Sequence, residues 1–244
     1  MRHDTWLGGE ARHMGERATV IVDFPLRGEW VAYHTPAERV PSHGTDQLGQ
    51  RYAYDFVRID GDRPGWMLCR GSIWRYVILG APLETFYAWG APIHAPFSGT
   101  VVVARDGWPE REYLHPVRDL GVVLKNALTF REDRPNALQT VLGNHLVLAM
   151  QGADVYALVA HARTGSIRVE EGEQVTGGDH IADVGHSGNS TAPHLHFHLM
   201  DGPSVLKASG VPCAFRSYEA LRDGGWALVV NGIPAKREFI RHAA

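Results

Sequence analysis

The chain alternates apolar and polar residues over short stretches that end at glycine, proline or Asp-Gly. Such alternation over about four to eight residues is typical of half-buried β-strands, and the longer period of amphipathic helices is scarce here. Many short strands at close spacing favour a mainly β fold, with an antiparallel sheet that curls or closes into a sandwich-like core. The segments that predict strands are 18–26, 29–34, 51–59, 99–107, 144–152, 154–162, 180–188 and 194–202.

No internal repeat and no linker rich in proline, glycine or serine divides the chain. The segment 108–140 carries the best helical pattern and predicts a helix or a long excursion from the sheet. We therefore expect one domain over 1–244, with loop or helical insertions.

Composition narrows the range of functions only slightly. The chain has 244 residues, 44% of them hydrophobic, and a formal net charge of −3, which gives no reason to expect nucleic acid or an anionic membrane as a partner. Cys69 and Cys213 fit no metal or redox spacing; one disulfide is possible, and two buried thiols are favoured. No apolar run is long enough to span a bilayer and no signal peptide is visible, so the chain as written reads as cytoplasmic, with a removed or replaced leader left open.

The stretch PHLHFHL (193–199) carries the most distinctive chemistry, because three histidines alternate with apolar residues. Successive side chains of a strand point to opposite faces, so His194, His196 and His198 share one face. The opposite, apolar face can pack into a core and hold the imidazoles rigidly. A half-exposed strand that happens to contain histidine is the competing interpretation.

A catalytic zinc site needs three protein ligands and one open position, and two histidines with one carboxylate form a standard set. The His-Glu-X-X-His helix of many zinc proteases is absent from the sequence. The segment 42–57 offers a further histidine and acids at His43, Asp46 and Asp55.

Three blocks of the sequence resemble the lysostaphin-like zinc endopeptidases, which cut peptide bonds in the bacterial cell wall. The first is His43 with YAYDFV, the second is WGAPIHAPFSGTVV (89–102), and the third is the long stretch 143–202, which contains SGNSTAPHLHFH. This resemblance covers roughly half the chain. It implies a catalytic core of about 41–202, an N-terminal extension of about 1–40 and a C-terminal extension of about 203–244.

The resemblance also implies roles for individual residues. His43, Asp55 and His196 would hold one zinc ion, and His161 and His194 would be the catalytic histidines that act on water and substrate. The implied reaction is metal-assisted hydrolysis of an amide, with peptide or peptidoglycan as the substrate. Which of the two catalytic histidines is the base stays open, and so does the oligomeric state.

One departure from the family concerns the first two ligands, because His43 and Asp55 have eleven residues between them where the family has three. Asp46 is closer to His43, but it lies in a polar turn, so Asp55 is the favoured ligand. Insertions at about 59–88 and 105–141 are expected to decorate or narrow the cleft.

The remaining polar residues near these motifs are expected to have structural roles. His198 is interpreted as a polar strand residue near the site, Ser187 and Ser190 as turn residues, and His145 and His186 as rim or structural positions.

Two other functions compete with the enzyme. A biotinyl or lipoyl carrier domain is disfavoured, because no lysine lies between Lys125 and Lys207 to carry the cofactor. A degenerate family member would bind a partner without catalysis, but every candidate ligand and both catalytic histidines are present. The family resemblance implies action in the cell envelope or outside the cell, in conflict with the missing leader.

Overall fold

The computed structural model describes residues 18–60 and 68–243, and strands outnumber helices throughout this part of the chain. The predicted mainly β fold class is confirmed. The strands are β1 (Val20–Val22), β2 (Glu29–His34), β3 (Tyr54–Val57), β4 (Ala81–Pro82), β5 (Pro92–His94), β6 (Gly99–Arg105), β7 (Tyr113–Leu114), β8 (Asn144–Met150), β9 (Tyr156–Ala162), β10 (Gln174–Val175), β11 (His180–Asp183), β12 (Leu195–Met200), β13 (Gly210–Val211), β14 (Cys213–Arg222), β15 (Gly225–Gly232) and β16 (Phe239–Arg241). The α-helices are α1 (Ile73–Leu79), α2 (Pro116–Thr129) and α3 (Ala137–Leu142), and 3-10 turns occupy Gln47–Tyr52 and Leu83–Thr85.

One large sheet organises the described residues, with strand order β1-β14-β16-β2-β3-β12-β9-β8-β6-β10. Nearly all neighbours pair antiparallel, and the pair of β1 with β14 is parallel. Strand β12 lies between β3 and β9, so its residues are held from both sides by backbone hydrogen bonds. The histidine-rich stretch is therefore a central strand of the sheet and not an exposed edge.

The two faces of β12 are buried in different surroundings. Leu195, Phe197 and Leu199 are fully buried and pack into the main hydrophobic core, as the alternation predicts. His196 and His198 are also buried, on the opposite face. Because the core fixes the apolar face, the imidazoles of the other face have little freedom to move.

Both predicted extensions contribute strands to the large sheet. β1 and β2 come from the N-terminal part of the chain, and β14, β15 and β16 come from the C-terminal part, where the sequence pattern had predicted no strand. β2 pairs with β3 and thereby lies beside the strand that carries Asp55. The division into extension, core and extension stays a prediction, and the sheet runs across it.

The insertion 105–141 contains β7, α2 and nearly all of α3, which agrees with the helix or excursion predicted there. Helix α2 begins with Pro116, whose missing N–H costs nothing at that position. The buried carboxylate of Asp119 accepts a hydrogen bond from the backbone of His115 at 2.9 Å and so caps the first turn.

Cys69 and Cys213 are both buried and unpaired by any disulfide, as favoured from the sequence. The other predicted insertion covers about 59–88, and its residues 61–67 lie outside the described part of the chain. Among the described residues, no helix is long and apolar enough to cross a membrane.

Candidate metal and catalytic site

Strand pairing brings two of the predicted ligands together. His196 on β12 lies directly across from Asp55 on β3 in the antiparallel register, and it also pairs with Ala160 on β9, next to His161. Directly opposite residues of antiparallel strands have Cβ atoms about 5 Å apart, close enough to share a ligand. The register of the sheet therefore assembles most of the site.

His43 reaches the same place from the loop before β3. Its Nε2 lies 2.9 Å from Asp55 Oδ2, and His196 Nδ1 lies 2.8 Å from Asp55 Oδ1. The ligand atoms of His43, Asp55 and His196 all lie within 4.8 Å of one another. The alternative acid, Asp46, is exposed and pairs instead with Arg51 at 2.7 Å.

The chemistry of this donor set fits zinc, with two imidazole nitrogens and one carboxylate oxygen converging. The outer nitrogens of both imidazoles also have partners. His43 Nδ1 lies 3.1 Å from Ser42 Oγ, and His196 Nε2 lies 3.1 Å from His198 Nδ1. Metal-binding histidines usually make such a second contact, because it fixes the tautomer and leaves the inner nitrogen free for the metal.

The two predicted catalytic histidines lie beside this cluster. The rings of His161 and His194 are 4.9 Å apart between centroids, and the ring of His161 is 5.8 Å from that of His196. Together with His196 they form a second group of close ligand atoms, so His196 belongs to both groups. His194 Nε2 lies 3.5 Å from Asp55 Oδ1 and thus faces the first group.

Backbone carbonyls fix the orientation of both predicted catalytic histidines. A carbonyl can only accept, so His161 Nδ1 donates to Ser187 O at 2.9 Å and His194 Nδ1 donates to Ala192 O at 2.7 Å. In each neutral ring the lone pair then resides on Nε2. His161 also adopts a left-handed backbone conformation with φ of 61°, which is uncommon for a residue with a side chain and tends to occur at functional positions.

Burial and charge shift the pKa values of the cluster in opposite directions. Burial would raise the pKa of Asp55, but the nearby His194 and His43 and the hydrogen bonds from His196 and His43 hold it well below its usual value. Burial lowers the pKa of His43, but the interaction with Asp55 outweighs it and raises the value. Burial is the main cause of the lowered pKa of His196 and of the strongly lowered pKa of His161. The pattern is thus an ionised Asp55 carboxylate beside His196 and His161, whose lowered pKa values favour the neutral imidazole.

A cleft of ≈ 440 Å³ opens onto the cluster, and Asp55 and His194 form part of its wall. Its other lining residues include Tyr33, His34, Val57, Leu68, Thr191, Ala192 and Arg237. The sequence analysis missed His34, whose ring centroid is 5.1 Å from that of His43. No local motif marks it, since β2 reaches the site only through its pairing with β3.

The residues expected to be structural lie as follows. Ser187 Oγ donates to Ala162 O at 2.7 Å and accepts from Asn144 N at 2.9 Å, so it ties the turn to the strands. His145 is buried and its Nδ1 contacts Gly143 O at 2.8 Å. His186 is fully buried and belongs to a hydrogen-bond network that leads to His194 through Ser190.

Comparison with known protein families gives one match. The model of peptidase family M23 matches residues 128–207. This segment contains His161, His194 and His196, whereas His43 and Asp55 precede it.

Several solved structures are similar to the chain. The catalytic domain of the antimicrobial peptidase lysostaphin from Staphylococcus simulans is 19% identical with a TM-score of 0.37, over 75% of this chain and 88% of that chain. A longer structure of lysostaphin from the same organism is 20% identical with a TM-score of 0.38, over 79% of this chain and 52% of that one. A zinc containing peptidase from Vibrio cholerae is 20% identical with a TM-score of 0.35, over 81% of this chain and 41% of that one. Scores this low carry no argument about activity.

Proposed function

We propose that the chain is a zinc metallopeptidase of the M23 kind, an endopeptidase that cuts peptide cross-links or bridges of the bacterial cell wall, because the model of peptidase family M23 matches residues 128–207. The observation that carries this proposal is the cluster of His43, Asp55 and His196 beside His161 and His194.

We assign the metal to His43, Asp55 and His196. This set contains the one carboxylate of the cluster, whose negative charge offsets that of a divalent cation, and its two imidazoles have outer partners in Ser42 and His198. The all-histidine group of His161, His194 and His196 lacks such a charge. It is better explained by catalytic histidines that lie next to a metal ligand.

When bound, zinc supplies a Lewis acid that polarises a carbonyl oxygen and lowers the pKa of water. The chain's own contribution is two imidazoles whose Nε2 atoms are free because each Nδ1 donates to a backbone carbonyl. A neutral Nε2 can take a proton from the attacking water, and the protonated ring can then give a proton to the leaving amine. His194 lines the open cleft and is placed to meet substrate, whereas His161 is buried behind it.

The lining of the cleft supports a peptide as substrate. Tyr33 and Leu68 offer apolar surface on its walls, and the small residues Thr191 and Ala192 line it beside His194. This lining favours a peptide of small residues, such as a glycine bridge, next to His194.

The first test is the metal content of the purified protein. Wild type is expected to hold about one zinc per chain, and His196→Ala is expected to lose it because the central ligand is removed. His180→Ala is the matched control, since His180 is partly exposed and pairs with Asp183 away from the cluster. A wild-type protein that takes up no zinc from buffer containing it would contradict the metal assignment.

The second test is cleavage of purified peptidoglycan and of short glycine-containing peptides, with release of new amino groups as the readout. Zinc-loaded wild type is expected to cleave at least one of them, and removal of zinc by a chelator is expected to stop the reaction reversibly. A zinc-loaded wild type that cleaves none of these substrates, with its fold intact, would favour a binding module over an enzyme.

A further inference from the structure

A short segment of the insertion 105–141 touches the loops of both catalytic histidines. This clamp segment, Trp108–Arg111, reads WPER and precedes β7. Trp108 N donates to Asn144 Oδ1 at 2.6 Å, and Trp108 O accepts from Thr164 Oγ1 at 2.6 Å and from Asn144 Nδ2 at 2.9 Å. The segment is therefore tied to the loop that follows His161.

The next residue of the clamp with a side-chain role, Glu110, joins that loop to the turn before His194. Its Oε2 accepts from Thr164 N at 3.1 Å, and its Oε1 accepts from His186 N at 2.6 Å. Trp89 Nε1 also donates to Oε1, at 3.1 Å. One carboxylate thus holds the backbones of the two loops that present the catalytic histidines.

Arg111 completes the clamp from the other side of the turn. Its Nη2 donates to His186 Nε2 at 2.7 Å and to Ser190 O at 2.6 Å. Its Nε lies 3.2 Å from the fully buried Asp119 Oδ1, an ion-pair contact whose angle is not that of a hydrogen bond. The Asp119 carboxylate offsets the guanidinium charge, so that Arg111 can point into the turn.

The donor inventory gives the direction of every bond in the chain that starts at Arg111. Arginine has no acceptor, so His186 Nε2 must accept and its proton must be on Nδ1. Nδ1 therefore donates to Ser190 Oγ at 3.0 Å, and Ser190 Oγ gives its own proton to Ala192 O at 2.7 Å. Ser190 Oγ keeps one lone pair for His194 Nδ1, at 3.2 Å.

We propose that Arg111, together with Glu110, is a positioning residue for the catalytic histidines, and that it fixes the hydrogen-bond direction that holds His194 Nε2 toward the metal cluster. Without Arg111, His186 can adopt its other tautomer, and the Ser190 proton can then turn from Ala192 O to His186. The Ala192 carbonyl, which accepts from both Ser190 Oγ and His194 Nδ1, would then keep only the hydrogen bond from His194. This inference rests on the proposed function for its catalytic consequence and on the geometry alone for the tautomer.

The experiment compares Arg111→Met and Arg111→Lys with wild type and with Arg131→Met, a matched control. Arg131 belongs to the same insertion, is exposed and pairs with Asp133. Long-range ¹H–¹⁵N spectra of the zinc-free protein report the tautomers of the histidines, and peptide cleavage by the zinc-loaded protein reports kcat and KM.

Wild type and Arg131→Met are expected to show His186 protonated on Nδ1. Arg111→Met is expected to show a mixture of tautomers at His186, to keep its zinc, and to lose on the order of 10–100-fold in kcat with little change in KM. Arg111→Lys, which keeps one charged donor, is expected to retain more activity than Arg111→Met.

Two results would overturn the inference. One is Arg111→Met with the wild-type His186 tautomer and the wild-type kcat. The other is parallel loss of zinc, fold and activity, which would make Arg111 only a stabilising residue. If wild type itself cleaves no peptide, the proposed function fails, but the tautomer spectra still decide whether Arg111 sets the direction of the network.

Discussion

Acidification should destabilise the zinc-free protein, and His186 should account for a measurable part of the loss. The pKa of His186 is lowered from 6.5 to about 2. Burial is the largest cause, and the charges of Arg111 and of His194 follow. The side chain is fully buried, so solvent screening does not reduce the effect. His186 thus stays neutral in the folded protein at every pH at which the protein is handled, whereas the unfolded chain titrates it normally.

The sign and size of the effect follow from proton linkage. A group whose folded-state pKa is lowered contributes stability above its unfolded pKa and loses it as the pH falls, because the unfolded state then binds the extra proton. At pH 7.5 an unfolded histidine with a pKa of about 6.5 is mostly neutral, and the loss is about 0.1 kcal/mol. At pH 5.0 it is almost fully protonated, and the loss from His186 alone is about 2 kcal/mol.

The assay is urea unfolding of zinc-free wild type and His186→Gln at several pH values, with chelator present throughout. Glutamine can still accept from Arg111 but cannot bind a proton. The free energy of unfolding of wild type is expected to fall by about 2 kcal/mol more than that of the variant between pH 7.5 and 5.0. Between pH 7.5 and 8.5 the two curves should run parallel, which serves as the control.

This prediction would be refuted if the free energies of unfolding of wild type and His186→Gln fell by the same amount between pH 7.5 and 5.0. That result would mean that the folded protein admits a proton at His186 as readily as the unfolded chain does, and hence that Arg111 does not hold Nε2 as an acceptor. A difference in the free energy of unfolding that is the same at every pH would not support the prediction, because the cost of replacing a buried ring is independent of proton binding.

Three further predictions concern the surroundings of the site and the core. His198→Phe removes the partner of His196 Nε2, and zinc affinity measured by chelator competition is expected to fall about 10–100-fold, with partial recovery in His198→Gln, which keeps an acceptor. Gly143→Ala places a Cβ 2.3 Å from Ser187 Oγ at a φ of 63°, so catalytic activity and the thermal midpoint should both fall, whereas Gly152→Ala, which meets no atom within 4 Å, should leave activity unchanged. Leu148 of β8 is fully buried in the main hydrophobic core, so Leu148→Ala is expected to cost about 2–5 kcal/mol in urea unfolding without loss of zinc, and an unchanged midpoint would contradict that burial.

The sequence was sufficient for the parts of the site that local patterns encode. The alternation in 193–199 predicted that Leu195 and Phe197 face a core while His196 faces away from it, and the sheet has this arrangement. The positions of His34 and Arg111 were beyond such reasoning, because each reaches the site through a pairing or a loop contact that is distant in sequence. Long-range register and loop docking depend on the whole fold, so no local period reveals them.

The long spacing in sequence between His43 and Asp55 does not keep their side chains apart in the structure. Ser42 N donates to Arg51 O at 2.9 Å, so the two ends of the intervening loop are joined directly before β3 begins. The loop packs closely on β12, since a Cβ on Gly49 would lie 2.8 Å from Met200 Cγ and 3.4 Å from His198 Nε2. Gly49 also has a φ of 69°, a conformation that glycine adopts at little cost. The eleven residues therefore form a closed loop that covers His198, the partner of His196 Nε2, while His43 and Asp55 remain within 2.9 Å of each other. Since the cost of closing a loop grows only slowly with its length, a loop of eleven residues need not weaken the cluster, and its packing on Met200 and His198 adds contacts that hold it in place.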